Sequence, residues 1–272
     1  SLFDAIRHAE GARHLTTLMC PQHRRQVLDE VRRALLEGAP CRVVSTTLVE
    51  AGVDVDFPMV LRAEAGLDSI AQAAGRCNRE GARSPQTSKV LIFSVCDERW
   101  SPPPELRQFA QAARAVLRRH GEDPLSPEAL NAYFRELYWQ RGLDELDAHG
   151  LLDLLKGSRL DTLPFETLAQ QYRVIEPIQL PVLIPYDDCA RGLMRSIAHA
   201  ESAHCQRELQ SYLVQLPRAG FEALRKLGAI APIAPERFGD QFMALLREDL
   251  YDPETGLGWD DASFLSGESL CW

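Results

Sequence analysis

Residues 42–56 read Arg42-Val-Val-Ser-Thr-Thr-Leu-Val-Glu-Ala-Gly-Val-Asp-Val-Asp56, and this stretch decides the fold class. It opens with a short β-branched strand, which the hydroxyls of Ser45, Thr46 and Thr47 follow directly. In parallel α/β sheets, ligands bind at the edge where the strands end. The stretch therefore predicts an α/β sheet with polar, ligand-facing groups after a buried strand.

A second stretch lies downstream, Asp68-Ser-Ile-Ala-Gln-Ala-Ala-Gly-Arg-Cys-Asn-Arg-Glu-Gly81. It has helical character up to Cys77, and compact apolar runs at 59–61 and 90–93 flank it as buried strands. Such alternation of strands and helices predicts a doubly wound α/β domain over residues 1–100. The chain opens inside a helical pattern, so we expect this domain to be truncated at its N-terminus.

Upstream of the first stretch, residues 25–37 carry the apolar stripe of a helix, and Gly38 is placed to end it. Downstream of the domain, Ser101-Pro-Pro-Pro104 is a stiff break. Two amphipathic helical patterns follow, the second with Ser126 as its N-cap. We expect the aromatic residues of that second helix to pack in the core, namely Tyr133, Phe134 and Tyr138.

The sequence pattern changes again near residue 161, from helical to alternating. Residues 178–184 alternate apolar side chains with polar residues or proline, which predicts a strand that its prolines place at a sheet edge. Residues 210–216 predict another strand. The sequence thus predicts three parts: a truncated, doubly wound α/β domain at 1–100, a helical linker at 101–160 and a small α+β domain at 161–272.

Composition limits the function classes. Of 272 residues, 45% are hydrophobic, and the net charge is −9. Residues 1–100 carry 13 basic and 13 acidic side chains, so the acidic excess lies entirely in residues 101–272. Net charge governs long-range steering, whereas a nucleic-acid groove needs only a local basic lining. The balance argues against a DNA-coating surface in the second half, but it leaves a narrow channel in the first half open.

Location and metal content follow from other features of the composition. Nothing resembles an export signal, and no apolar run is long enough to span a bilayer. The seven cysteines form no Cys-x-x-Cys pair, which favours free thiols in the cytoplasm and no metal site.

In this order, with a strand between them, the two stretches resemble motifs V and VI of superfamily 2 helicases. Those motifs lie in the second of two RecA-like domains, so the resemblance implies that residues 1–100 are that domain. The wording Gly75-Arg-Cys-Asn-Arg-Glu-Gly81 is similar to that of the CRISPR-associated helicase–nuclease of type I systems. Leu15-Thr-Thr-Leu-Met-Cys-Pro-Gln-His-Arg24 also resembles that family. Leu163-Pro-Phe-Glu-Thr-Leu168 and Val182-Leu-Ile-Pro-Tyr186 resemble its C-terminal accessory domain more weakly.

The resemblance implies that Arg76 and Arg79 are arginine fingers. Phosphoryl transfer loads negative charge onto the γ-phosphate oxygens, and arginines from a second body stabilise that charge. Their spacing of three would place both on the same side of one helical turn. Gln72 is expected to hydrogen-bond at the same cleft, and Gly75 to allow close backbone approach. The alternative is an ordinary surface pair forming ion bridges.

The resemblance also implies that Thr46 and Thr47 contact the nucleic-acid backbone and that Asp54 meets the nucleotide ribose. Gly52 is expected to allow a tight turn between them. A helix N-cap is the other interpretation of the two threonines, and both can hold at once.

Several parts of such an enzyme have no counterpart in this sequence. It contains no Gly-Lys-Ser/Thr phosphate loop and no Asp-Glu-x-His box, and no histidine is followed by aspartate as in the family's nuclease domain. We therefore expect no ATP hydrolysis by this chain alone. In the intact enzyme the resemblance implies ATP, magnesium and, for the nuclease, transition metals. It implies as partners single-stranded DNA, the remainder of the helicase–nuclease and the RNA-guided surveillance complex.

Three other interpretations stay open at this point. The chain could come from a different superfamily 2 motor, or it could be a non-catalytic module that docks a partner or an inhibitor protein. It could also be a purely structural α/β domain, which would leave the order of the two motifs to coincidence.

Overall fold

The computed structural model describes residues 2–49, 52–95, 104–159, 162–172, 179–199 and 207–259. They divide into two compact units, one drawn from Ser1–Val53 with Pro177–Trp272 and the other from Asp54–Glu176. Both units mix helices with small sheets, which confirms the predicted α/β class. No helix within these ranges is long and apolar enough to cross a membrane.

The elements are numbered in chain order. The helices are α1 (Leu2–Ile6), α2 (Pro21–Glu37), α3 (Leu67–Ala74), α4 (Pro104–Leu117), α5 (Pro127–Leu146), α6 (Leu151–Lys156), α7 (Phe165–Gln171), α8 (Asp188–His199), α9 (Arg218–Lys226) and α10 (Pro235–Phe238). The strands are β1 (Ala12–Leu15), β2 (Arg42–Ser45), β3 (Met59–Ala63), β4 (Lys89–Phe93), β5 (Gln179–Leu183), β6 (Leu213–Pro217), β7 (Ile230–Pro232), β8 (Met243–Leu245), β9 (Tyr251–Asp252) and β10 (Gly256–Leu257).

The N-terminal part of the first unit is a β–α–β segment. Strands β1 and β2 pair in parallel, and α2 connects them. Helix α2 buries His23, Val27 and Val31, which are spaced by four and so share one face. Gly38 ends the helix in the left-handed conformation at φ 68°, and this confirms the predicted stop.

The C-terminal part of the same unit contains a four-stranded sheet in the order β6-β5-β8-β7. The prediction that β5 lies at an edge was therefore wrong. Pro181 lies opposite Gln215 of β6, whereas β8 pairs only with Val182 and Leu183, beyond the proline. An interior strand tolerates Pro181 because its missing N–H faces no β8 partner. The strand predicted at 210–216 begins at Leu213, since Gln210–Tyr212 is a 3₁₀ turn.

These two parts of the first unit share one hydrophobic core. Cys20, at the start of α2, is fully buried in the same cluster as Leu183 and Leu257. The Leu257 N–H donates to the Leu18 carbonyl at 2.8 Å. A Cβ added at Gly256 would lie 2.5 Å from that same carbonyl oxygen, so only glycine fits there.

The second unit pairs β3 with β4 in parallel and packs α3 against α4 and α5. Ser126 caps α5 as predicted, since its Oγ accepts the Ala129 N–H at 3.2 Å. Tyr133 is fully buried, but Phe134 and Tyr138 are 38% and 53% exposed, so their predicted core position was wrong. The buried stripe of α5 runs through Ala129, Tyr133 and Leu137, and the other two rings point away from it.

The predicted domain boundaries at residues 100 and 160 stay a prediction, because the two compact units divide the chain at other residues. Of the predicted break at 101–104, only Pro104 lies within the described residues, as the first residue of α4.

Candidate functional site

The segment after α3 folds back on the residues that precede β3. The Phe57 N–H donates to the Arg76 carbonyl, and the Asn78 N–H donates to the Phe57 carbonyl, both at 2.9 Å. Phe57 and Cys77 thereby form a parallel β-bridge. Helix α3 ends at Ala74, so Arg76 and Arg79 do not lie on one helical turn and that prediction was wrong. Nonlocal pairing with Phe57 replaces the helix there.

Asn78 turns the chain sharply between the two arginines. It has φ 50°, in the left-handed region that asparagine tolerates better than most residues. Its side chain makes two hydrogen bonds to the backbone of Arg83: Nδ2 donates to the Arg83 carbonyl, and Oδ1 accepts the Arg83 N–H, both at 2.8 Å. The Gly81 N–H also donates to the Asn78 carbonyl at 3.0 Å. Residues 76–83 therefore form a closed, internally bonded loop, called the arginine loop below.

Two aspartates contact Arg79 within this unit. Asp54 Oδ1 lies 3.1 Å from Arg79 Nε, and the two side chains are 75% and 41% exposed. Asp56 Oδ1 accepts the backbone N–H of Arg79 at 2.6 Å. The structure thus brings together Asp54 and Arg79, two residues to which the sequence assigned separate roles.

The exposure of the Asp54–Arg79 pair decides how firmly the guanidinium is fixed. Ion pairs between exposed side chains contribute about 0–1 kcal/mol. A phosphate group offers bidentate, charge-assisted hydrogen bonds that are roughly twice as strong as neutral ones. Arg79 can therefore exchange Asp54 for a phosphate at little cost.

Gln72 and Gly75 flank the start of the arginine loop. Gln72 is exposed on α3, and Gly75 follows that helix with φ −63°. A Cβ at Gly75 would meet only the carbonyl oxygens of Gln72 and Ala71, at 3.4 and 3.6 Å. Packing within the chain does not demand a glycine here, so the predicted close approach remains a prediction about a bound group. Burial raises the pKa of the neighbouring Cys77 thiol, which favours its neutral, unreactive form.

Thr46, Thr47 and Gly52 belong to the first unit. The Thr46 N–H donates to the Leu15 carbonyl at 3.2 Å, which extends the β1–β2 pairing by one residue. Both threonines are exposed, and Thr47 begins the 3₁₀ turn Thr47–Val49. Gly52 has φ 73°, and no atom that the structure describes beyond its chain neighbours lies within 4 Å of an added Cβ. The two hydroxyls follow the carboxyl end of β2, where the sheet edge faces ligands.

Sequence reasoning missed Asp56 and Arg83 as members of this site and gave Asn78 no role. Arg83 Nη1 donates to Asp56 Oδ2 at 2.5 Å, which closes the arginine loop on the aspartate. The available signal was the Asp-x-Asp pair at 54–56 together with the closely spaced arginines at 76, 79 and 83. Among the described residues, no group of three His, Cys, Asp or Glu side chains is arranged to hold a metal ion.

Comparison with known proteins finds similarity over the segment that contains these residues. Residues 4–82 match the model of the family described as CRISPR-associated nuclease/helicase Cas3, C-terminal. Over these residues the chain is similar to the C-terminal part of Cas3. The matched segment begins within α1 and ends within the arginine loop, one residue before Arg83, and it includes all eight candidate site residues.

A Cas3 of Haloferax volcanii is 28% identical over 177 residues, which cover 53% of this chain and 18% of that protein. Among solved structures, that of T. fusca Cas3-AMPPNP matches with a TM-score of 0.61 and 14% identity, over 94% of this chain and 37% of the other. A chain of a structure described as a CRISPR RNA-guided surveillance complex, pre-nicking, matches with a TM-score of 0.52 and 13% identity, over 90% of this chain and 35% of that one. The chain thus spans under a fifth of the Haloferax Cas3. The two structural matches show that it shares the Cas3 fold.

Proposed function

We propose that this chain acts as the C-terminal portion of an ATP-dependent single-stranded DNA translocase and helicase–nuclease, which degrades foreign DNA in type I CRISPR interference in the cytoplasm. The observation that carries the proposal is the arginine loop. It holds Arg79 on a folded backbone within the segment that matches the Cas3 family model, and among the described residues the exposed carboxylate of Asp54 pairs with its guanidinium.

When bound in the complete enzyme, ATP with magnesium supplies the γ-phosphoryl group. Arg76 and Arg79 then stabilise the negative charge that develops on its oxygens, and Gln72 donates a hydrogen bond in the same cleft. Asp54, released by Arg79, accepts from the ribose. Gly52 and Gly75 leave room for close approach of the backbone. The phosphate loop and the nuclease centre come from other parts of the enzyme.

Thr46 and Thr47 contact the phosphates of single-stranded DNA. Both are exposed at the carboxyl end of β2, where ligands bind in such sheets, and this supports the role. Such phosphate contacts position a strand without reading its bases. A Cas3-like chain also occurs in a structure described as an RNA-guided surveillance complex, which supports such a complex as the recruiting partner.

Purified chain and complete enzyme test the proposal side by side. We expect the complete enzyme to hydrolyse ATP when single-stranded DNA is added and to degrade that DNA. The chain alone should do neither, because it has arginine fingers without a phosphate loop. DNA-stimulated ATP turnover by the purified chain, measured by phosphate release, would contradict the proposal.

A further inference from the structure

The Asp56 carboxylate binds the arginine loop at two points. Its two oxygens are divided between two partners: Oδ1 accepts the Arg79 N–H at 2.6 Å, and Oδ2 accepts from Arg83 Nη1 at 2.5 Å. The Asp56 side chain is only 18% exposed, whereas that of Asp54 is 75% exposed. Of the two aspartates, Asp56 is therefore the one shielded from water.

Asn78 holds the opposite side of the same loop. Its amide bonds both backbone groups of Arg83, and Arg83 in turn reaches Asp56. The backbone of Arg79 lies inside this ring of contacts. Asp56 fixes the backbone of Arg79, which limits where the side chain can reach. The guanidinium itself stays exposed, so it can still change partner.

We propose that Asp56 is a positioning residue for Arg79, and that Arg83 and Asn78 complete its support. Asp54 is the releasable partner of the Arg79 side chain, and Asp56 is the permanent partner of its backbone. The inference rests on the proposed function, since it assigns the loop the task of delivering Arg79 to a phosphate. Charge-assisted hydrogen bonds to a shielded carboxylate suit this task, because solvent screens them less than it screens exposed pairs.

A positioning role predicts a loss of turnover without a loss of nucleotide binding. Removing the carboxylate lets the loop shift, and misplacement by about 1 Å can reduce a rate roughly a hundredfold. Binding of ATP by the rest of the enzyme is unaffected. The loss should also depend on Arg79, since without that guanidinium its placement no longer matters.

The experiment compares Asp56→Ala, Asp56→Asn, Arg79→Ala and the double variant Asp56→Ala/Arg79→Ala in the complete enzyme. The matched control is Glu64→Gln, since Glu64 is a 25% exposed carboxylate that pairs with Arg114 at 2.8 Å in the same unit. DNA-stimulated kcat, KM for ATP and the thermal unfolding midpoint are measured for each.

We expect Asp56→Ala to lower kcat by roughly ten- to a hundredfold with KM changed less than about threefold. Glu64→Gln should leave kcat unchanged, and Asp56→Ala should add no loss to Arg79→Ala. An unchanged kcat, an equal loss in the control, or an additive loss in the double variant would overturn the inference. If Asp56→Ala does not fold, Asp56→Asn serves as the test. A lowered kcat in Asp56→Asn would support the inference, and an unchanged kcat would contradict it. Normal turnover by Arg79→Ala would instead overturn the proposed function.

Discussion

Asp54 and Asp56 are two residues apart, yet their carboxylates contact Arg79 in different ways. Asp54 reaches the guanidinium at the surface, and Asp56 accepts the backbone N–H from a shielded position. The motif wording predicted the residue types and their order. It could not predict this division, because Asp56 meets Arg79 through a β-bridge between segments 20 residues apart in the chain.

The proposed DNA contact of Thr46 can be tested by removing its hydroxyl. Thr46→Val keeps the shape of the side chain and removes the hydroxyl that we propose to bind a DNA phosphate. A hydrogen bond to a charged group contributes about 1.5–3 kcal/mol, so single-stranded DNA affinity of the complete enzyme should fall by roughly one to two decades. Fluorescence anisotropy at fixed salt measures the change.

The control for this hydroxyl is Thr46→Ser, which should bind DNA nearly as the parent does. The loss in Thr46→Val should also be equal for DNAs of different sequence, because phosphate contacts carry no base information. A loss confined to one sequence, or no loss at all, would contradict the assignment of Thr46.

At the scale of elements, local signals predicted α2 well and the end of α3 poorly. A single local residue determines where α2 ends, since Gly38 adopts a left-handed conformation that few other residues accept. The segment after α3 has no such signal, because Gly75 keeps a helical φ of −63°. That helix ends because residues 76–78 pair with Phe57, a contact that helical periodicity cannot reveal. The interior position of β5 escaped prediction for the same reason.

The junction between β10 and the residues before α2 makes a prediction about packing. At Gly256, φ is 82° and an added Cβ would lie 2.5 Å from the Leu18 carbonyl oxygen. Gly256→Ala should therefore lower the free energy of unfolding by more than the roughly 1–2 kcal/mol that a left-handed alanine costs by itself. Denaturant unfolding of the chain measures it.

Gly228→Ala is the matched control, since Gly228 also has a positive φ, 63°, but has no atom within 4 Å of the added Cβ. It should show the conformational cost without the collision. Equal destabilisation by the two variants would mean that Gly256 does not pack against Leu18.

At the scale of the molecule, the contacts that hold the first unit together connect residues more than two hundred positions apart. Tyr251 Oη accepts the Cys20 N–H at 3.1 Å and lies 2.9 Å from His23 Nδ1. Composition shifts near residues 100 and 160 led to a linear division into domains. They could not indicate that residues 179–259 share a core with residues 2–49, because no local pattern encodes such a contact.

The account as a whole depends on Arg79 acting on a phosphate. In the complete enzyme, Arg79→Ala should lower DNA-stimulated ATP turnover by about a thousandfold or more, the scale of a lost arginine finger. Single-stranded DNA binding should survive, because the phosphate contacts assigned to Thr46 and Thr47 are untouched. Arg118→Ala removes an exposed arginine of the same unit outside the motif, and it should keep full turnover.

The most direct measurement is therefore steady-state ATP hydrolysis by these two variants beside the parent, with DNA binding measured on the same samples. We expect Arg79→Ala to lose ATP hydrolysis and to keep single-stranded DNA binding. An Arg79→Ala enzyme that hydrolyses ATP normally but no longer binds DNA would contradict it, since the arginine loop would then serve the nucleic acid and not the nucleotide.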